Sequence, residues 1–168
     1  MIKIVPIAEV SADAVEHLLD RAFGADRHLR TAYRIRQGTR AIPALSFAGV
    51  EDGELIGTIQ CWPVRLALDA GGSAPLVMVG PIAVEPSRQR GGIGQVLTAH
   101  AIRIADEMGS DPLMLIGDPE YYGRFFGFDD SATAAWRVPG PVERRRLLAR
   151  GAAPTGAGML APGVVATA

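Results

Sequence analysis

Cysteine, lysine and histidine are scarce in this 168-residue sequence, which has one cysteine and three histidines, and Lys3 as its only lysine. A lone Cys61 closes no internal disulfide and cannot seed a cysteine-based zinc cluster. His17, His28 and His100 lack metal-ligand spacing, so no metal site is expected. Long apolar runs are missing too. The longest, Leu76 to Val84, is broken by a Gly-Pro, whereas a membrane-spanning helix needs about 20 apolar residues. The opening MIKIVPIAEV has no basic flank, no full apolar core and no small-residue cleavage site, unlike a signal peptide. A soluble, cytoplasmic protein with no membrane partner is the expectation. An excess of one charge is also absent: 17 basic residues face 18 acidic ones, for a net charge of −1. No general positive field exists to hold a nucleic-acid backbone, so no nucleic-acid partner is expected.

What remains is ordinary globular material, 48% hydrophobic and 21% charged. The length suits one domain, residues 1–168, with no linker or internal repeat. The arginine bias reads as genome composition, so any arginine at an anion site has to be argued by position.

The chain begins with a short strand over residues 2–8. Ser11 caps a helix over ADAVEHLLDRAF, which places Val15, Leu18, Leu19 and Phe23 on one face. A weaker helix is expected from His28 to Gln37, with Leu29, Ala32, Tyr33 and Arg36 at helical spacing. The period then changes. Leu45 to Glu51 reads as a strand, Asp52-Gly53 as a hairpin turn, and Leu55 to Leu66 as the return strand. A glycine-rich turn over 69–75 leads to a buried strand, Leu76 to Val84, completing an antiparallel meander. The loop EPSRQRGGIG opens a helix from Gln95 to Met108 with a stripe of Leu97, Ala101, Ile104, Ala105 and Met108. Leu113 to Ile116 is a short strand, Tyr121 to Phe126 a short helix, and Thr133 to Val138 a last strand. VERRRLLARG reads as a short basic helix with a solvated arginine face leading to a strand, and APTGAGMLAPGVV as a turn between short strands.

The glycine loop carries the chemistry. Glycines ahead of a helix allow a tight turn, and the free N–H groups of the helix start face outward at the positive end of its dipole. That arrangement takes a phosphate or pyrophosphate, to which Arg88 and Arg90 add charge. A Walker loop would end in Gly-Lys-Ser/Thr, but Gly94 is followed by Gln95-Val96. A dinucleotide loop needs G-x-G-x-x-G, but the glycines fall at 91, 92 and 94. The third type is Q-x-x-G-x-G, and Gln89, Gly92 and Gly94 match it.

In this context GPIAVEPSRQRGGIGQVL resembles the acyl-CoA signature of the GNAT N-acetyltransferases, bacterial members included. The downstream GDPEYYGRFFGF is similar to the family's second signature, and VEDGELIGTIQ to its first hairpin. The resemblance spans roughly residues 2–138 and is weaker over 139–168. It implies an α/β (α+β) fold: a mixed, mostly antiparallel sheet flanked by helices, with a splayed strand pair for acetyl-CoA. Backbone groups of Ile82, Ala83 and Val84 would pair with the pantetheine arm, opposite Leu113 to Ile116. Amides of Gln89, Arg90, Gly91, Gly92, Ile93, Gly94 and Gln95 would hold the pyrophosphate, with Arg124 near the cofactor phosphates.

The implied reaction is acetyl-CoA-dependent N-acetylation of a primary amine by direct attack. The amide of Val84 would donate to the oxyanion and Tyr122 would act as general acid. The family places that tyrosine four residues before the glycine of Gly-Phe, whereas Tyr122 lies five before Gly127. Phe125-Phe126 then reads as a one-residue insertion that would bulge the helix, and Tyr121 is the alternative acid. No general base stands out: Leu76 to Val84 has no acid, and Asp118, Glu120, His28 and a water relay all remain open. Cys61 reads as a packed core thiol. The partner would be a small-molecule or peptide amine, and a homodimer would form through the C-terminal strands. The rival reading is a non-catalytic acyl-CoA-binding sensor, which keeps the loop and needs neither acid nor base.

Overall fold

The structure, a computed structural model, describes residues 1–163. Val164 and Val165 of the expected terminal strand lie outside the described residues. Eight strands are present among them: β1 (Lys3–Pro6), β2 (Phe47–Glu51), β3 (Glu54–Leu68), β4 (Ser73–Val84), β5 (Leu113–Ile116), β6 (Trp136–Arg137), β7 (Leu147–Arg150) and β8 (Gly158–Pro162). The helices are α1 (Ala12–Phe23), α2 (Thr31–Ile35), α3 (Ile93–Met108) and α4 (Pro119–Phe126). The sheet runs β1-β2-β3-β4-β5-β7, with β8 also beside β3 and β6 beside β8. It is mixed: β1–β2, β2–β3, β3–β8 and β5–β7 are antiparallel, while β4–β5 and β6–β8 are parallel.

The chain divides into two compact units, and β3 and β4 each run through both. The first comprises Met1–His28, Ala41–Cys61 and Gly80–Ser110. Here α1 forms as its sequence predicts. The Ser11 side chain accepts from the Ala14 N–H, and Val15, Leu18 and Leu19 are buried against Ala83. Removing that cap with Ser11→Ala should cost about 0.5–1 kcal/mol in urea unfolding. An unchanged midpoint would show that the cap contributes nothing. Beyond α1, buried Arg27 pairs with Glu16 and, at 3.0 Å, with Asp20.

β2 and β3 are joined by the expected Asp52-Gly53 turn, and their register shifts at Gly49/Val50. Gly57 of β3 lets α3 lie close: a Cβ there would meet Ile93 Cγ2 at 2.9 Å, Leu97 Cδ1 at 3.0 Å and the Ala83 carbonyl oxygen at 3.2 Å. Alternation along β4 places Ala83 in the α1 cluster, while Ile82 and Val84 contact the Gly94 position of α3. The end of β4 is thus held between two helices.

The second unit comprises Leu29–Arg40, Trp62–Val79 and the chain from Asp111 onward. Its core gathers Ile35, Leu66, Leu76, Met114, Trp136, Leu147 and Leu160. Trp136 is fully buried and its indole N–H donates to the Pro154 carbonyl at 3.0 Å. Several expectations change here. The second helix is five residues long rather than ten, and Leu29 is 72% exposed instead of facing a core. Thr31, Ile35 and Arg36 face inward, with the Arg36 guanidinium 4.0 Å from the Tyr33 ring and 3.9 Å from the Trp62 ring. Loop 139–141 ties α2 down: Thr31 donates to the Pro141 carbonyl and Arg34 to the Pro139 carbonyl. The strand expected over 133–138 shrinks to Trp136–Arg137, because the backbone before it closes turns, with the Trp136 N–H on the Thr133 carbonyl at 3.0 Å.

Arg144, Arg145 and Arg146 are exposed, as expected, but the guanidinium groups of Arg144 and Arg145 also find partners. Arg144 donates to the carbonyls of Thr133 and Trp136, Arg145 pairs with Glu120, and Arg150 donates to the Phe126 carbonyl at 2.9 Å. Arg144 and Arg150 thereby satisfy backbone carbonyls at the edges of the turn over 131–135, of β6 and of α4.

Candidate active site

In the first unit β4 ends at Val84. A 3-10 turn, Pro86–Gly91, follows, and Gly92 adopts a left-handed φ of 74° before α3 begins. A residue with a Cβ is strained in that conformation, which is why a glycine stands there. Helix α3 starts at Ile93, two residues before the expected Gln95, since the Val96 N–H already bonds to the Gly92 carbonyl at 3.1 Å. The N–H groups of Ile93, Gly94 and Gln95 therefore precede the helical ladder, and no side chain caps the helix start. Gln89, Arg90, Gly91, Gly92 and Gln95 are exposed, while Ile93 is buried and anchors the first turn. The stripe of α3 also shifts. Ile102 is buried, and Met108, expected inward, is 54% exposed at the last turn.

Backbone direction at the end of β4 follows from its pairing. The Glu85 N–H bonds to the Ile56 carbonyl at 2.8 Å, and the Ala83 carbonyl faces Gly57. Successive peptide groups alternate sides, so the amides of Ile82 and Val84 point away from β3. The β4–β5 register contains two pairs, Val77↔Leu113 and Met78↔Met114.

Two loop arginines behave differently. Arg88 donates to both carboxylate oxygens of Glu51, at 3.0 and 3.1 Å, and thereby holds that carboxyl below the usual range. Both bonds come from Nη2, so the charge expected to face a phosphate is shared with Glu51. Arg90 is exposed on the loop. The same region holds Arg21 against Glu85, with Nη2–Oε2 at 2.7 Å and Nε–Oε2 at 3.1 Å. Neither ion pair was foreseen, since their partners stand 37 and 64 positions apart in sequence.

In the second unit Asp118 caps α4, accepting from the Glu120 N–H at 3.0 Å. The helix is regular, with the Tyr122 N–H on the Asp118 carbonyl at 2.9 Å, so the expected bulge does not occur. The extra residue is absorbed at the end, where Gly127 closes the helix and the Phe128 N–H reaches the Tyr122 carbonyl. The Tyr122 ring packs on Gly117, where a Cβ would lie 2.5 Å from its Cε2. Tyr121 meets Tyr122 edge-on with centroids 4.8 Å apart. Burial pushes the Tyr122 phenol up to about 12, with Tyr121 adding to the rise, and burial also raises Tyr121. Both phenols therefore keep their protons at neutral pH. Arg124 is exposed, 5.3 Å from the Phe125 ring.

The candidate bases have other partners. Asp118 is the helix cap, with its carboxyl held low chiefly by a hydrogen bond with Glu120, and Glu120 pairs with Arg145. His28 is exposed, and His100 packs edge-on against Phe47 at 4.5 Å. Cys61 is buried, and burial pushes its thiol up to about 12, as suits a core residue. Among the described residues no group of three or more His, Cys, Asp or Glu side chains could hold a metal ion, and no helix is long and apolar enough to cross a membrane.

Comparison with known proteins places these features in a family context. The profile of the Acetyltransferase (GNAT) family matches residues 12–128. An uncharacterised N-acetyltransferase, YhbS of Escherichia coli K12, is 26% identical over 124 residues, covering 73% of this chain and 71% of that protein. The crystal structure of Escherichia coli YhbS in complex with CoA shares the fold, with TM-score 0.71 and 23% identity over 96% of this chain and 88% of that one. A GNAT acetyltransferase from Brucella melitensis, solved with acetyl-CoA, is 27% identical with TM-score 0.55, covering 90% and 97% of the two chains.

Proposed function

This chain belongs to the Acetyltransferase (GNAT) family, and from that premise we propose that it transfers the acetyl group of acetyl-CoA to a primary amine by direct attack. The observation that carries the reading is the start of α3: three N–H groups outside the helical ladder, behind a left-handed glycine with no side chain to block an approaching ligand. Such a start suits a pyrophosphate. In this reading the amides from Gln89 to Gln95 hold the pyrophosphate, with Arg90 and Arg124 toward the outer phosphates. Ile82 and Val84 pair with the pantetheine arm, an assignment supported by their outward amides, while the Ala83 carbonyl faces Gly57 of β3 instead.

Acetyl-CoA supplies an activated acetyl thioester. The Val84 N–H donates to the negative charge that develops on the carbonyl oxygen during attack. Tyr122 gives its phenolic proton to the departing sulfur, with Tyr121 as the alternative donor. The attacking amine must be unprotonated, and water takes its proton, because Asp118 and Glu120 are engaged elsewhere. Both compact units form one acetyltransferase domain in this proposal, supported by the unbroken passage of β3 and β4 through each. A cytoplasmic location, where acetyl-CoA is made and spent, and a homodimer through the C-terminal strands belong to the same reading. The acceptor is a small-molecule or peptide amine.

Titration calorimetry with acetyl-CoA should give saturable binding, and a panel of primary amines should release free thiol. No binding at millimolar acetyl-CoA would end the proposal. The engaged carboxylates Asp118 and Glu120 favour a second reading, a non-catalytic acyl-CoA sensor. Binding without thiol release on any amine would select it.

A further inference from the structure

The turn that would cradle the pyrophosphate has little beneath it. None of the residues Pro86–Gly91 is buried. Its start borders an open pocket of about 410 Å³, lined also by Ala14 and His17 of α1 and Leu55 and Ile56 of β3. Packing restrains only atoms in contact, so exposed residues beside an open pocket are held by it weakly. Besides the 3-10 bonds within Pro86–Gly91, its backbone is tied by the Glu85 N–H on the Ile56 carbonyl and the Arg88 N–H on the Glu85 carbonyl at 2.7 Å.

Side chains supply the rest from two directions. Arg21 of α1 grips the Glu85 carboxylate with two nitrogens, at 2.7 and 3.1 Å. Glu51, at the end of β2, accepts from Arg88 with both oxygens. Paired, two-pronged contacts of this kind restrict orientation as well as distance. They also set the local charge. Glu85 is a carboxylate at the entry of a proposed polyanion site, and Arg21 neutralises it.

We infer that Arg21 and Glu51 are positioning residues that hold the turn in its anion-binding shape through Glu85 and Arg88. The inference rests on the acetyl-CoA reading above. It assigns Arg88 to the frame of the loop rather than to the ligand. It also gives Arg21 a second effect, screening Glu85 from the phosphates.

These pairs are half-exposed, with Arg21 and Glu85 side chains 49% and 26% accessible. Each should therefore act on acetyl-CoA affinity only modestly, about three- to five-fold. Calorimetry on the full chain would compare wild type with Arg21→Gln, Glu51→Gln and the exchange Arg21→Glu with Glu85→Arg. The two single variants should bind acetyl-CoA about three- to five-fold more weakly and raise its KM while kcat holds. Glu85→Gln on top of Arg21→Gln should recover only the part of the loss due to the bare carboxylate and still bind more weakly than wild type, because the tie is absent; full recovery would overturn the positioning role. The exchange should return to within about two-fold of wild type, since the pair is re-formed with reversed ends. Single variants that bind like wild type would overturn the inference. So would an exchange as weak as Arg21→Gln. A wild-type protein with no affinity for acetyl-CoA would overturn the functional reading itself, which separates the two failures.

Discussion

Tyr122→Phe should lower turnover by about 10²–10⁴-fold, the usual size of a lost general acid, with acetyl-CoA affinity nearly unchanged. The substitution is conservative in packing. The ring still rests on Gly117, where no Cβ could fit beside it, and still meets Tyr121 edge-on. Only the phenolic oxygen goes. The pH profile sharpens the test. Burial holds the Tyr122 proton up to about 12, so the acid form persists across the neutral and mildly alkaline range. Activity should rise as the acceptor amine loses its proton, with no falling limb from the phenol in that range. Tyr121→Phe should change turnover far less, because its ring is the less buried neighbour. If Tyr121→Phe carries the loss and Tyr122→Phe does not, the acid is Tyr121. If both leave turnover intact, water protonates the thiolate.

The second large effect concerns Gly57. Gly57→Val should destabilise the fold by about 3 kcal/mol and Gly57→Ala by about 1 kcal/mol. For a chain of this size 3 kcal/mol lowers the melting temperature by about 6–12 °C. Two terms compete at this position. A side chain reduces the freedom of the unfolded chain, which favours the variant by about 0.4–1 kcal/mol. Against it stands overlap with Ile93, Leu97 and the Ala83 carbonyl, all at or inside 3.2 Å. Overlap wins because the obstruction comes from a helix and a strand at once, and the carbonyl cannot rotate away. The displaced element is the first turn of α3, whose amides form the proposed anion site. Affinity for acetyl-CoA should fall along with stability. A Gly57→Val protein that melts like wild type would show that α3 does not need this close approach.

The two effects differ in how visible they are in the sequence. Tyr122 stands out because a tyrosine ahead of Gly-Phe is a recognisable pattern. Gly57 sits inside a strand, and a glycine in a strand interior signals close approach by another element. That signal states that something comes near but not what.

Much of the local structure is legible in the sequence alone. Helix α1 has its cap, its stripe and its end within one continuous stretch, so the residues that decide it are neighbours. The same holds for the Asp52-Gly53 hairpin and for the glycine turn that opens α3. The family resemblance draws on those same local patterns. Other features depend on partners far along the chain. Leu29 and Tyr33 have helical spacing, but loop 139–141 holds α2 to five residues. Arg144 to Arg146 are exposed as a solvated run would be, and only the structure shows the distant carbonyls that Arg144 and Arg150 reach. Arg88 reads as added phosphate charge, and only the structure shows Glu51 beside it.

The near-zero net charge and the glycine spacing determined that this chain has no general positive field and carries one glycine turn as its candidate anion site. Local propensity and backbone geometry act over a few residues, so a single sequence records them. Tertiary structure decided which arginines pair with carboxylates, which of Tyr121 and Tyr122 is the more enclosed, and which side chains reach the turn. Those depend on contacts between residues tens of positions apart, which form only when strands and helices are brought into register.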